Sequence, residues 1–480
     1  MMRSLYSGVS GLRIHQTKMD VIGNNIANVN TVGFKASSVT FSDVFYQTIQ
    51  SATGPNAATG AAGKNAMQIG LGSSVASITA NITTTGGSQR TDNPFDLMIS
   101  GDSFFVVNSG GTNYFTKAGS FGIDAQGTLS TATGATVMGW KVDPNDPNKT
   151  VAEEVSPLKI MSPENLFAPP AATTNAYITG NIDRNDTQIA PGASGKTINL
   201  SFYDEMGNSY TADLKVVQTA TATNKYTVTV DDIRDEDGNS IFVKKTVDAT
   251  TGAVTYGPSS ITSFNFGGSA FTAAVDTATG KVTTTGTNPI ITFNGASGEF
   301  IGIGADTSTS KSISFGVTAS PNPFKNIDVD FSSLTMYATS GKSTLESTKG
   351  SLEGLGAGKK VGNMTGVSID AAGKIFGKYD NGDSKLLGQI AVASFSNPAG
   401  LESVGNSMFA QTQNSGEFDG IGRDISTDGG GFTTGVLEMS NVDLSAQFTD
   451  MITTQRGFQA NSRIITTSDT LLEELINLKR

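Results

Sequence analysis

LEMSNVDLSAQFTDMITTQRGFQANSRIITTSDTLLEELINLKR (residues 437–480) closes the chain on a rhythm of seven: Leu444, Met451, Phe458, Ile465 and Leu472, with Leu437 in phase before them. Sustained seven-residue spacing is the pattern of helices that bury a seam against other helices. Ser440 and Asp443 fit a capping box, with Met439 and Leu444 as a hydrophobic staple across it, so the helix is expected to start there within a segment 436–480. Such a helix reaches about 60 Å at 1.5 Å per residue. Phe448, Ile452, Ile464, Leu471, Leu475 and Ile476 lie off the main stripe. A single partner helix covers only part of so wide an apolar surface, so packing against further copies of the chain is expected.

The other end of the chain answers in the same period. Leu5, Leu12, Met19 and Ile26 recur every seven residues, flanked by Val9 and Ile22, and predict a helix over 1–30. It runs into NNIANVNTVGFK (24–35), where Asn24, Asn25, Asn28 and Asn30 crowd a helix end. Asn is a poor helix former, but its amide both donates and accepts and can satisfy backbone groups that a helix end leaves open. Gly33 suits a chain reversal and Phe34 an anchor at the exit. The stretch reads as a joint between helix and body.

Between the ends the period becomes two. KTINLSFYDEMGNSYTADLKVV (196–217) alternates Ile198, Leu200 and Phe202, turns over Asp204–Asn208, and alternates Tyr210, Ala212, Leu214 and Val216, a β-hairpin signature. A punctuation of apolar residue, Asp, short polar run, Gly and apolar residue recurs near 123, 247, 275 and 369 (IDAQGTL, VDATTGAV, VDTATGKV, IDAAGKI) and suits tight hairpin turns. The body is therefore expected to be all-β and antiparallel. SATGPNAATGAAGKN (51–65) and ISTDGGGFTTG (425–435) read as small-residue linkers. The expected fold class is mixed: long N- and C-terminal α-helices, a coiled-coil-like pair, flanking nested all-β domains. The expected layout is a linker region 31–70, an inner β domain 71–145 plus 326–425, an inserted outer domain 146–325 in one part or two, and a Gly-rich linker 426–435.

Composition bounds the function. The 480 residues carry a formal net charge of −11 with only 16% charged residues, which excludes the basic footprint of a nucleic-acid binder. There are no cysteines, so disulfides and thiolate metal sites are excluded. No apolar run approaches the roughly 20 residues needed to span a bilayer. The N-terminal segment carries Arg3, Arg13, His15 and Lys18 within its apolar pattern, so a cleaved signal peptide is not expected.

Candidate chemistry fails position by position. Gly195-Lys196-Thr197 and Gly341-Lys342-Ser343 lack the upstream glycine of a phosphate loop, replaced by Ala190 and Met336; at Gly358-Lys359 it is Glu353, and Lys360 replaces the hydroxyl. In DDIRDEDGNS (231–240), alignment to a calcium loop puts Ile233 and Lys244 at the two ligand ends. His15 is the only histidine and has no catalytic context; Trp140 and the aromatics of DSFFVV (102–107) read as core. No catalytic, cofactor or metal site is expected, and the chain is not read as an enzyme.

Four segments carry a resemblance. SLYSGVSGLRIHQTKMDVIGNNIANVNTVGFK (4–35) and the C-terminal stretch from Gly435 resemble the two terminal signatures of the bacterial flagellar axial proteins of rod and hook. NPFDLMISGDSFFVVNSGGTNYFTKAGSFGIDAQGTLSTATGATVMGW (93–140) and VGNMTGVSIDAAGKIFGKYDNGDSKLLGQIAVASFSNPAGLESVGNSMFAQT (361–412) resemble the two halves of that family's inner β domain. The long insertion between them is similar to the hook branch; a distal-rod-type protein is the alternative within the family, and an extracellular β-rich adhesin or enzyme with helical oligomerisation ends is the alternative outside it. The resemblance implies a structural subunit that self-assembles into a helical tube, a flexible universal joint passing motor torque to the filament. It implies partners in rod proteins, hook cap, hook–filament junction proteins and the flagellar type III export apparatus, and a place outside the cell. The polymerisation residues expected on this reading are Leu5, Val9, Leu12, Met19, Ile22 and Ile26 with Leu444, Phe448, Met451, Phe458, Ile465 and Leu472.

Overall fold

A computed structural model describes residues 2–55, 60, 62–220, 222–247, 254–305 and 308–478. Two helices, α1 (Met2–Ala27) and α2 (Leu444–Asn477), bracket a body of strands. α2 begins later than its heptads imply. Val436–Glu438 is a strand paired with Ser88–Arg90, and the N-cap is Asp443, whose Oδ1 accepts from the Ser445 N–H at 2.8 Å and the Ala446 N–H at 3.2 Å. Ser440 is not the cap, and the staple built on that start falls with it. The residues between are committed elsewhere: Ser440 is buried, its Oγ accepting from Val442 N–H, and the Asn441 amide binds the backbone of Ala36, Asn81 and Thr84.

The expected linkers are also structured. In 31–70, Ser37–Asp43 pairs antiparallel with Ser73–Ala80, and Tyr46–Gln50 with Met67–Gly70; of the small-residue run 51–65, residues 56–59 and 61 lie outside the described residues. In 426–435, a helical turn Ile425–Asp428 leads to a strand Gly431–Thr434 paired with Leu97–Ser100. Ile425 and Phe432 explain this: both are buried, so the glycines flank anchored side chains.

The chain divides into two compact units. The first takes both helices, the chain up to Leu166, Gly366–Lys378 and the chain from Ser384 onward. Its centre is the hairpin Phe104–Ser109 with Thr112–Thr116, joined by Thr136–Trp140, which pairs in turn with Ser384–Ile390. Phe104, Phe105, Val106 and Val107 are all fully buried, one pair on each face of the strand, and Trp140 is buried with them. Residues 146–166 stay in this unit because Val155, Leu158 and Ile160 enter its cores and Ser156–Pro157 pairs with Gly139 and Met138.

The second unit is Phe167–Thr365 with Tyr379–Asp383. One core joins a seven-stranded and a five-stranded sheet. The hairpin read from the sequence is here: Lys196–Tyr203 pairs with Ser209–Gln218 in the register Ile198↔Leu214, Leu200↔Ala212 and Phe202↔Tyr210. The pairing is not wholly antiparallel, because Asn175–Asn181 lies parallel to Ile327–Thr335. A parallel pair needs a long crossover, which a hairpin signature cannot register. That pairing, and the antiparallel pairing of Thr344–Lys349 to the same strand, carry the unit well past residue 325.

The recurring punctuation has a physical basis in both units. In the first, Asp124 Oδ1 accepts from the Gln126 and Thr128 N–H groups, and Asp370 Oδ1 from those of Ala372 and Lys374; in the second, Asp276 accepts from Ala278 N–H. These are Asx turns in which the carboxylate organises the loop. VDATTGAV lies mostly outside the described residues, 248–253, between the paired strands Val243–Val247 and Val254–Pro258.

The Gly341-Lys342-Ser343 loop contains an anion nest already filled from within. Asp183 Oδ2 accepts from the N–H groups of Thr339, Ser340 and Gly341 at 2.7–2.8 Å, while its Oδ1 accepts from Asn185 N–H. These donors, Asn185 first, hold the carboxyl at about 2 against an ordinary 3.8, with burial opposing them. A depressed carboxylate contributes stability that is complete above pH 3.8 and lost as pH falls toward 2. Asp183→Asn is expected to lower the melting temperature of the second unit at pH 7 and to flatten its loss between pH 4 and pH 2. Calorimetric melts of the full chain across that range check this; identical acid profiles would refute it.

Candidate functional site

α1 and α2 pack antiparallel. Gly8 lies against Ile465, Gly11 against Asn461 and His15 against Gly457, and Lys18 Nζ meets Asp450 Oδ1 at 3.2 Å. Small residues set the approach: a Cβ on Gly457 would stand 2.7 Å from the His15 ring. His15 packs edge-on against Phe41, and burial, aided by the charge of Lys18, lowers its pKa. The face of α2 turned to α1 carries buried Thr454 and Ser468 among half-buried Met451, Phe458, Ile465 and Leu472. On α1, Ile22 is buried, Leu5, Leu12, Met19 and Ile26 are half-buried and Val9 is exposed; Ile14, off the heptad, is buried as well. Leu444, Phe448, Ile452, Ile464, Leu471, Leu475 and Ile476 are exposed, between 38% and 68%.

The four asparagines at the end of α1 divide into different roles. Asn25 is 1% exposed: its Nδ2 donates to Ser37 O at 2.8 Å, its Oδ1 accepts from Ser37 N–H at 3.0 Å, and Nδ2 also reaches Gln447 Oε1 on α2 at 3.1 Å. One amide thus acts as a strand partner for Ser37 and a tie between the helices. Asn28 closes the helix locally, donating to Asn24 O and Asn24 Oδ1 and accepting from Thr31 Oγ1. Asn30 is exposed. Gly33 takes φ +66°, with its N–H on Glu438 O and the Ala118 backbone so close that a Cβ would stand 2.6 Å from Ala118 N. Phe34 is half-buried, and its carbonyl accepts from Asn441 N–H.

Beneath this joint sits a cluster that periodicity does not reveal. Lys35 Nζ and Glu438 Oε1 are 2.7 Å apart with side chains 2% and 0% exposed. Lys35 also donates to Thr84 O, and Glu438 Oε1 accepts from Gly86 N–H. Lys117 is 1% exposed, donates to Gly101 O at 2.7 Å and lies over the Phe104 ring. Burial pushes Lys117 down to about 8, with the charge of Glu438 opposing. The only available signal is that Lys35 and Glu438 flank the two predicted helices at positions off both apolar stripes. Among the described residues no group of His, Asp and Glu could hold a metal ion. The arrangement is a buried polar cluster where two helices meet the β body, beside an apolar face of α2 that is exposed among the described residues.

Comparison with known proteins gives this geometry a context. Three family descriptions match in chain order: "Flagella basal body rod protein" over residues 5–35, "Flagellar hook protein FlgE/F/G D1 domain" over 98–180, and "Flagellar basal body rod FlgEFG protein C-terminal" over 433–478. Lys35, Lys117 and Glu438 fall one in each matched segment. The chain is 37% identical to "Flagellar hook protein FlgE" of Borreliella burgdorferi and 34% identical to that of Treponema pallidum, in both cases over all of each chain. It is 27% identical to "Flagellar basal-body rod protein FlgG" of Bacillus subtilis, again over all of both chains.

Removing one member of a buried ion pair leaves an uncompensated charge, so Lys35→Met is expected to cost on the order of 3–5 kcal/mol, and Lys35→Met with Glu438→Leu much less. Asn25→Ala strands both backbone groups of Ser37 and is expected to cost about 1–3 kcal/mol, well above Asn28→Ala at a half-buried position bonded to Asn24 and Thr31. Denaturant unfolding of the full chain, followed by the single tryptophan, Trp140, measures both series.

Proposed function

The chain belongs to the flagellar hook protein family, and on that premise we propose that its two terminal helices polymerise it into the hook tube while the β units stack outside them. It is a structural subunit of the flagellar hook. The observation that carries the assembly reading is the exposed apolar face of α2. Burying what remains open on Phe448, Ile452, Ile464, Leu471, Leu475 and Ile476 yields on the order of 1 kcal/mol for each side chain, before ordering costs. A helix of 34 residues with such a face gains too little in isolation to stay wet. Within the tube, α1 and α2 form a coiled-coil-like pair, and the joint at Asn25, Gly33 and Phe34 transmits load between tube and body.

Lightly charged surfaces suit contacts that slide as the tube bends, which supports the universal-joint role. On this reading the β part of the first unit, up to Leu166 with Gly366–Lys378 and the strands after Ser384, corresponds to the inner domain, and Phe167–Thr365 with Tyr379–Asp383 to the outer one. Rod proteins, hook cap, junction proteins and the type III export apparatus are the partners this reading assigns. No helix among the described residues is long and apolar enough to cross a membrane. The full-length likeness to a rod protein keeps a distal-rod role as the alternative.

Electron microscopy of cells lacking the protein decides between them: basal bodies without hooks are expected, and incomplete rods would overturn the hook reading. Protease is expected to trim both terminal helices in monomer and spare them in polymer, with equal protection counting against assembly through the helices. Leu444→Asp, on the exposed face, is expected to abolish polymerisation and leave the β units folded by circular dichroism; Phe458→Asp adds damage to the α1–α2 seam.

A further inference from the structure

Among the described residues, the register of the helix pair carries the end of α2 past the start of α1. Gly11 meets Asn461 and Gly8 meets Ile465, so each step back along α1 is matched by a step forward along α2. At 1.5 Å per residue in both helices, the start of α1 lies level with about residue 470. Leu471–Asn477, roughly two turns, therefore overhangs, and Leu471, Leu475, Ile476 and Leu478 are 47%, 49%, 68% and 83% exposed. The overhang itself carries Glu473 and Glu474, with Asp469 just before it and Lys479 and Arg480 following it in the sequence.

A second apolar surface of a different shape occurs in the same unit. One face of α1 and the strand pair beside it enclose a groove of about 520 Å³ lined by Tyr6, Val9, Arg13, Val44, Leu71 and Val75 among others. Tyr6, Val9, Val44 and Val75 are 67%, 41%, 38% and 36% exposed. Arg13 is the charged side chain in the described lining, and Arg3 lies on the same face of α1, about one turn before Tyr6. An apolar channel with a basic rim is the complement of an apolar helix end with acidic flanks.

Given the assembly reading above, on which this rests, we propose that the α2 overhang of one subunit docks in the α1 groove of a second copy. The apolar side chains Leu471, Leu475 and Leu478 enter the groove, and Glu474, at the edge of that face, meets Arg13. Groove and overhang are different patches of one chain, so the contact is heterologous. Each subunit offers one groove and one tail, and repetition of such a contact generates an open helical polymer rather than a closed dimer.

The chain has no native cysteine, which makes disulfide trapping clean. Hooks are prepared from Val9→Cys/Leu475→Cys chains and oxidised, then run on non-reducing gels beside hooks of each single variant. A ladder of dimers, trimers and higher multimers from the double variant, with none from the singles, is expected. Hooks that assemble but yield only monomer, or single variants that give dimers, overturn the proposal. If the double variant fails to assemble, the pair is split between two chains doped into wild-type hooks, where a covalent dimer is expected and its absence overturns the proposal. Arg13→Glu is expected to lose assembly and Arg13→Glu with Glu474→Arg to recover it; a double variant that assembles no better than Arg13→Glu overturns the proposal. Absence of hooks from wild-type protein would instead overturn the assembly reading itself.

Discussion

Lys35 and Glu438 are 403 residues apart in sequence and 2.7 Å apart in space, and both helices leave the body beside them. Lys35 follows the end of α1 by eight residues, and Glu438 precedes the start of α2 by six. Without this pair, two charges would sit uncompensated in a core that also holds Lys117 and Phe104. Its neighbours divide the remaining polar work. Gly33 N–H takes the Glu438 carbonyl, and Asn441 takes the backbone at Ala36, Asn81 and Thr84. The exits of both helices are thus fixed by one buried polar bracket, and the direction of the helix pair depends on it.

The two parts of the first unit use opposite packing chemistry. The β cores close on themselves, with Phe105, Phe121 and Phe432 in ring contact and fully or nearly buried. The helix pair sets its approach with small and polar residues, glycines against side chains and a Lys18–Asp450 ion pair, and leaves a second set of apolar side chains, among them Phe448, Ile452 and Ile464, exposed. The difference leaves a wide apolar face on α2 that the β cores do not have.

Much of this organisation was legible in the residues. Period seven located both helices, period two located the hairpin 196–217 to the register, and the Asp–Gly punctuation marked turns that the carboxylates organise. The start of α2 and the linkers differ from the expectation for a common reason. Ser440 is an acceptable cap in isolation, and glycines at 429–431 read as a linker in isolation. The first is overruled because Asn441 is needed by the body, and the second because Ile425 and Phe432 are needed by its core. Likewise four asparagines looked equivalent, whereas burial makes Asn25 a structural tie and leaves Asn30 at the surface.

The sequence by itself determined which segments are helix, which alternate as strands, and that the chain offers no thiol, no membrane-spanning run and no nucleotide loop, because these follow from residues within a few positions of one another. Only the tertiary structure decided that Asn175–Asn181 runs parallel to Ile327–Thr335, that Asp183 fills the nest at Thr339–Gly341, and that Lys35 meets Glu438. Each of those pairs residues more than 140 positions apart. Local periodicity carries no information about which distant backbone or charge a group will meet; that is settled when burial forces every polar group to find a partner.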